Sequence, residues 1–261
     1  IPDVKLAADQ VDVWRASLGA LPDLKAVLSP DELQRAARFH FETDSRNFIA
    51  ARGWLRTLLA RYLDTSPASL SFDYGARGKP TLSGGGDLRF NLSHSHDLAL
   101  LAVTKKRELG VDVEFMKEST AGPEIAERFF SAAEVAELRA LPGEQQRVAF
   151  FAGWTRKEAY IKATGAGLFG ALDRFTVSLA PNDSRVSLRV HDDEREAARW
   201  TLCSLHPGEG YAGALAVEGG DWRLRCFDWP AMTDELSRAI ESRQDVSAEV
   251  ARLAPQQSKP L

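Results

Sequence analysis

Asp112 and Glu114 are two carboxylates two residues apart in the run Leu109-Gly110-Val111-Asp112-Val113-Glu114. On a β-strand side chains alternate between faces, so the two acids share one face and Val111 and Val113 share the other. Two residues of strand span about 7 Å, close enough for both acids to converge on one hard cation. The same spacing also fits an edge strand with its valines inward and its acids in solvent. Further along, Glu158 and Lys162 lie one turn apart in a helical stretch. At about 100° per residue, Phe150, Trp154 and Ile161 form the apolar stripe of that helix, and Glu158 falls at its margin. An exposed Glu–Lys pair contributes well under ~1 kcal/mol. A half-buried carboxylate at that margin calls for a partner.

Three other groups are suited to anions. Ser93 and His94 lead into the apolar run Leu98 to Val103. A hydroxyl and an imidazole together can hold a phosphate, with added charge if the histidine is cationic; a turn capping its own backbone is the other reading. Lys79 lies between Gly78 and Pro80, and the proline restricts the lysine backbone toward extended conformations. Arg46, Arg52, Arg56 and Arg61 occupy one helical stretch, where arginines are expected to be solvated or paired with neighbours.

The elements that must carry these groups follow in order. Val4 to Leu18 reads as extended. Ser29-Pro30-Asp31-Glu32 starts a helix carrying Leu33, Arg35, Arg38 and Phe39, with serine at the cap, proline at N1 and acids in the first turn. A second helix is expected from about 44 to 63, with Phe48, Leu55, Leu58 and Leu59 as its stripe. Residues 105–108 read as a hairpin loop before the acidic strand. Ser131-Ala132-Ala133-Glu134 is a capping box, and a long helix is expected over 144–164, stopped by Gly165. Strands are expected at 175–179, 185–190, 200–205, 211–217 and 222–227. Ala99-Leu100-Leu101-Ala102-Val103 and Ala214-Leu215-Ala216-Val217 are faintly alike, a hint of duplication.

The 261 residues are 44% hydrophobic and 27% charged with net charge −4, which is ordinary globular composition. Mild acidity gives no footprint for nucleic acid or a membrane surface. No apolar run approaches ~18 residues and no signal pattern opens the chain, so a cytoplasmic location is expected. Cys203 and Cys226 lack metal or redox spacing and read as packed thiols.

Four blocks then occur in one order: Gly78-Lys79-Pro80; Phe90-Asn91-Leu92-Ser93-His94-Ser95; Gly110-Val111-Asp112-Val113-Glu114; and Trp154-Thr155-Arg156-Lys157-Glu158-Ala159-Tyr160-Ile161-Lys162. This resembles the 4′-phosphopantetheinyl transferases of the Sfp type, in the branch marked by tryptophan and Lys-Glu-Ala. The resemblance runs from about Val11 to Phe227. It implies an α+β fold of two pseudo-symmetric halves, each a small, mainly antiparallel sheet with a long helix, with the ligand cleft between them. The expected divisions are 1–106, 107–230 and a C-terminal helical, partly disordered extension over 231–261.

The activity implied is holo-[acyl-carrier-protein] synthase: transfer of the phosphopantetheine arm of coenzyme A to a serine of an apo acyl, polyketide or peptidyl carrier protein, releasing 3′,5′-ADP. By the same resemblance Asp112, Glu114 and Glu158 hold Mg²⁺, while Arg35, Lys79, Ser93 and His94 grip the nucleotide. Lys162 binds the pyrophosphate, with Arg46 a softer candidate. Glu158 and Lys162 are the expected catalytic residues, with Glu158 as general base directly or through a water. A monomer is expected, and Phe129-Phe130 with nearby arginines is a candidate carrier docking point. His96 departs from the pattern, because the family's Ser-His-Ser block is usually followed by glycine. Two other classes use the same acids: a Mg²⁺-dependent coenzyme A hydrolase, and a non-catalytic coenzyme A or carrier-protein binding module.

Overall fold

The computed structural model describes residues 4–84, 86–117, 123–165, 172–181 and 186–229. The expected helix with Met232, Leu236 and Ile240, and the break at 119–122, lie outside the described residues. The first part of the chain runs β1 (Gln10–Ser17), α1 (Pro30–Ala36), α2 (Glu42–Leu63), β2 (Phe72–Tyr74), β3 (Pro80–Leu82), β4 (Leu88–Ser95) and β5 (Leu98–Lys105). The second part runs β6 (Leu109–Phe115), α3 (Pro123–Phe129), α4 (Ala132–Ala140), α5 (Gly143–Thr164), β7 (Phe175–Val177), β8 (Leu188–Val190), α6 (Glu194–Ala198), β9 (Trp200–Leu205), β10 (Tyr211–Glu218) and β11 (Arg223–Asp228).

The two sheets repeat one plan. One sheet contains β1-β5-β4 and the other β6-β10-β9, so in each the last strand of the unit lies between the first and the middle one. The similar runs noticed in the sequence are these central strands, β5 and β10. A 22-residue helix serves each unit, α2 in one and α5 in the other. Sheet pairing is antiparallel except where β11 returns to lie parallel against β1. The last strand of the described chain therefore completes the first sheet, and an ion pair from the partly exposed Arg225 to the buried Asp12 holds it there. The 105–108 segment, expected to be a hairpin loop, crosses instead from one sheet to the other, because β6 pairs with β10 and not with β5.

Each unit also buries a charged box. At the start of α1, Glu32 accepts from the Ser29 backbone N–H and is paired with Arg52 and with Arg56 Nε, the latter at 2.7 Å. At the start of α4, Glu134 accepts from the Ser131 N–H at 2.7 Å and is paired with Lys157 at 2.8 Å, both side chains fully buried. Arg52 and Arg56 are thus buried, where the helical pattern implied solvation or pairing with neighbours, because both find the Glu32 carboxylate, 20 and 24 residues away in the chain. The Lys157 ammonium donates to Leu172 O and Phe175 O, each at 2.7 Å, as well as to Glu134, which fills its three donor positions. Removing one partner leaves a buried charge uncompensated, at a cost of about 3–5 kcal/mol. Glu134→Ala is accordingly expected to lose about that much in urea unfolding, whereas Glu127→Ala, at an exposed pair, stays within ~0.5 kcal/mol.

Candidate active site between the two units

The acids meet where the edge of β4 faces β6. Backbone N–H groups of Val111, Val113 and Phe115 donate to the side chains of Asn91 (2.8 Å), Ser93 (3.4 Å) and Ser95 (3.1 Å). Alternate residues of β4 thus act as a strand edge for β6, satisfying donors that would otherwise be left open at its free side. The serine hydroxyls then donate onward, Ser93 to Asp112 Oδ1 at 2.9 Å and Ser95 to Glu114 Oε2 at 2.8 Å. From α5, Lys162 Nζ donates to Asp112 Oδ1 at 2.6 Å and to Ser93 Oγ at 2.9 Å.

Asp112 and Glu158 are only 2% and 6% exposed, and Asp112 Oδ2 and Glu158 Oε1 are buried without a hydrogen-bond partner. Orphaned buried carboxylate oxygens are costly, and two together mark a place built for a positive or donating group. Burial first, then the Asp112 charge, push the Glu158 carboxyl up to about 7, with Glu114 adding and Lys162 opposing. Burial and Asp112 raise Glu114 in the same way, against the pull of Ser95 and Lys162. Although His94 is exposed at the cleft, desolvation and then the Lys162 charge hold its imidazole below its ordinary range. Above that range it serves as a neutral hydrogen-bonding group.

Two openings flank the acids. A cleft of about 610 Å³ is lined by residues including Phe39, Asn47, Phe48, His94, His96 and Lys117. A second pocket of about 220 Å³ lies beside Arg77, Lys79, Asn91, Glu158 and Lys162. Among the described residues no set of three His, Cys, Asp or Glu side chains is closed to metal-ligating geometry. No helix among them is long and apolar enough to cross a membrane.

Residues 108–216 match the 4′-phosphopantetheinyl transferase superfamily, and residues 12–106 match the N-terminal family of 4′-phosphopantetheinyl transferases. The 4′-phosphopantetheinyl transferase HetI of Nostoc sp. is 41% identical over 87% of this chain and 96% of its own length. The chain belongs to the 4′-phosphopantetheinyl transferase family. A 4′-phosphopantetheinyl transferase of Bacillus subtilis is 33% identical over 73% of this chain and 88% of its own, and psf-1 of Bacillus pumilus is 34% identical over 72% and 78%. The chain is therefore a transferase enzyme, with the α+β halves that the resemblance implied.

In this transferase Asp112, Glu114, Glu158, Lys162, Ser93 and His94 come together. Lys79 does not point at the acids: its ammonium donates to Glu108 Oε2 and Ala163 O at 3.0 Å and to Leu109 O at 3.3 Å. It ties the β2–β3 hairpin to the end of α5 and the start of β6, at the wall of the smaller pocket. The Arg35 guanidinium lies 5.3 Å over the ring of Phe48, a cleft residue, and Arg46 is exposed on α2 outside the cleft lining. The candidate docking point at Phe129-Phe130 is corrected by the structure: Phe130 is 3% exposed and stacked on Phe150, and Phe129 is half-buried against Trp154. Asn91, Ser95 and Asn47 were given no site role from the sequence, and Phe48 was read only as part of the apolar stripe of α2. The alternation Asn91-x-Ser93-x-Ser95 was the available signal, since period-two polar residues on a strand address one neighbour.

His96 has φ 53°, the left-handed region where glycine is at ease and histidine is among the better-tolerated residues. That accounts for the glycine usual in the family. The histidine offsets the strain by stacking on Phe115, with centroids 4.9 Å apart at 24°, and its carbonyl accepts from Asn47 Nδ2 at 3.1 Å.

Proposed function

We propose that this transferase moves the 4′-phosphopantetheine arm of coenzyme A onto a serine hydroxyl of an apo carrier protein and releases 3′,5′-ADP. The reading takes the halves as 1–106 and 107–230, with the reaction in the cleft between them and the enzyme a cytoplasmic monomer. The observation that carries it is the convergence of the buried Asp112 and Glu158, the half-buried Glu114 and Lys162: Glu158 and Lys162 line the smaller pocket, and Ser95, bonded to Glu114, lines the larger cleft.

The chemistry follows from these groups. The carrier serine oxygen attacks the phosphorus that bears the pantetheine arm, and the bond to the bridging pyrophosphate oxygen breaks. Negative charge grows on the departing nucleotide, and the Lys162 ammonium is fixed where it can offset that charge. Glu158, whose carboxyl is pushed up by burial and the Asp112 charge when no cation is bound, is the group placed to take the serine proton, directly or through a water. Ser93 and His94 offer hydrogen bonds to phosphate oxygens, His94 as a neutral donor.

The donor set also fits Mg²⁺. The two orphaned oxygens, on Asp112 and Glu158, together with Glu114 are hard oxygen ligands, and Mg²⁺ takes one or two carboxylates plus phosphate oxygens and retained waters, with no closed protein cage. When bound there it would supply concentrated positive charge against the pyrophosphate.

Intact-mass measurement of an apo acyl carrier protein incubated with the enzyme, coenzyme A and Mg²⁺ is expected to show addition of the arm, abolished by EDTA. Apo polyketide and peptidyl carriers complete the panel. Release of 3′,5′-ADP at the same rate with no carrier present would replace this reading with a hydrolase.

A further inference from the structure

We propose that Ser95 is a positioning residue, whose hydroxyl aims the Glu114 carboxylate at the place where Asp112 and Glu158 would hold Mg²⁺. The inference rests on the reading of these acids as a Mg²⁺ site and adds to it the residue that keeps the third acid in place.

The three acids are not held alike. Asp112 has a short side chain, and Ser93 and the Lys162 ammonium both donate to its Oδ1, at 2.9 and 2.6 Å, which leaves Oδ2 buried and without a partner. Glu158 is confined by burial, at 6% exposed. Glu114 has neither support. It is half-buried near the end of β6 and has one more rotatable bond than Asp112. Among the described residues, the Ser95 hydroxyl is the one hydrogen-bond donor to its carboxylate, at 2.8 Å on Oε2. Fixing a glutamate in one rotamer costs up to about 2 kcal/mol of side-chain entropy. A hydrogen bond to a charged group, at about 1.5–3 kcal/mol, is of the size that offsets this. With Oε2 held by the serine, Oε1 is the oxygen left for a cation.

The serine is fixed in its turn. A hydroxyl has one proton to give and lone pairs to receive. The Phe115 backbone N–H donates to Ser95 Oγ at 3.1 Å, so the serine proton is free to turn to Glu114. The Phe115 ring stacks on His96 with centroids 4.9 Å apart and meets Tyr211 edge-on at 5.1 Å, and the Met116 N–H donates to Gly210 O at 2.8 Å. Asn47 ties the backbone of His96 to α2. The turn after β4 thus clamps the end of β6 across the boundary between the two units, directly beside Glu114. His96 acquires a task here, since a glycine at that position would leave Phe115 without its stacking partner. Ser95 also lines the larger cleft, yet its proton is already committed to Glu114.

The test compares Ser95→Val with Ser95→Thr in the full chain; the two differ by a methyl in place of the hydroxyl. Ser95→Ala, which adds no atom, runs alongside them. Melting is followed through a Mg²⁺ titration with coenzyme A present and no carrier, so the readout is independent of turnover. Ser95→Val and Ser95→Ala are expected to need about tenfold more Mg²⁺ than wild type for half the rise in melting temperature, as for loss of a group that orients a metal-ligating carboxylate. Ser95→Thr is expected to stay within about threefold, and KM for coenzyme A at saturating Mg²⁺ within twofold in all three. In a Glu114→Gln background the valine is expected to change the Mg²⁺ requirement less than twofold, because no anionic side chain remains to be aimed. An equal Mg²⁺ requirement in Ser95→Val and Ser95→Thr overturns the proposal, even if both melt lower. So does a valine effect that persists undiminished with Glu114→Gln. A rise in KM for coenzyme A at saturating Mg²⁺ assigns Ser95 to the nucleotide and overturns it too. Wild-type enzyme whose melting ignores Mg²⁺ and whose transfer survives EDTA removes the metal reading itself.

Discussion

Glu158→Gln is expected to cut turnover by about 10²–10⁴, the range for losing a general base, while the protein stays folded. The amide keeps the shape of the side chain but can neither take the serine proton nor offer anionic oxygen to a cation. Because Glu158 is nearly buried and Oε1 has no partner, no neighbouring hydrogen bond is broken by the change. A structural role alone would leave turnover almost intact, so single-turnover mass labelling separates the two. A rate within threefold of wild type would remove Glu158 from the mechanism.

The same substitution should stabilise the protein, with a definite dependence on pH. The folded carboxyl sits near 7 against 4.5 for the ordinary group. Between those values the native state binds more protons at this site than the unfolded chain does. Stability from this group is therefore intact below about 4.5 and declines as pH rises through the folded value. Above 7 the cost of holding the charge is on the order of 3 kcal/mol. Glutamine removes that cost. Without divalent ions, Glu158→Gln is expected to melt higher than wild type by roughly 5 °C or more at pH 8, and at the same temperature at pH 4. Equal melting at both pH values would mean that burial does not hold Glu158 in a costly charged state.

How far the sequence reached depends on the range of the interaction concerned. Elements with local signals were legible: the capping box at Ser131, the helix stopped at Gly165 with φ 69°, and the strand at Trp200–Leu205. The shared face of Asp112 and Glu114 was legible too, since a strand's period is fixed by geometry. Partners distant in the chain were not. Lys79 reads as an aimed cation next to proline, and nothing local says that its acceptors include the carbonyls of Leu109 and Ala163. The helical wheel of α5 placed Phe150, Ile161 and Glu158 correctly but missed the burial of Arg156 and Lys157, for another reason. With Arg156, Lys157 and Glu158 all buried alongside Phe150 and Ile161, the helix is enclosed on nearly every side and its polarity no longer marks exposure. One further sign of the repeat was present but not used: Gly53-Trp54-Leu55-Arg56 on α2 and Gly153-Trp154-Thr155-Arg156 on α5.

Gly110→Ala is expected to damage both stability and turnover, although the residue carries no reactive group. The glycine lies on β6 where α5 crosses closest. A Cβ there would stand 2.1 Å from Ala159 O and 2.4 Å from Ala163 N, both backbone atoms that cannot rotate aside. The helix would have to lift off the strand, at a cost of about 1–3 kcal/mol or more for an overpacked site. Lifting moves Glu158 and Lys162, which ride on that helix, away from Asp112 and Glu114, which ride on that strand. A displacement of about 1 Å can cost 10²-fold in rate, so turnover is expected to fall by about that factor even well below the melting temperature. The 2.6 Å contact from Lys162 to Asp112 should lengthen in a crystal structure of the variant. The Gly-Val-Asp and Lys-Glu-Ala blocks therefore act as a pair: glycine and the facing Ala159 set the helix–strand distance, and the acids function only at that distance. Wild-type turnover in Gly110→Ala would show that the spacing tolerates more than this geometry allows.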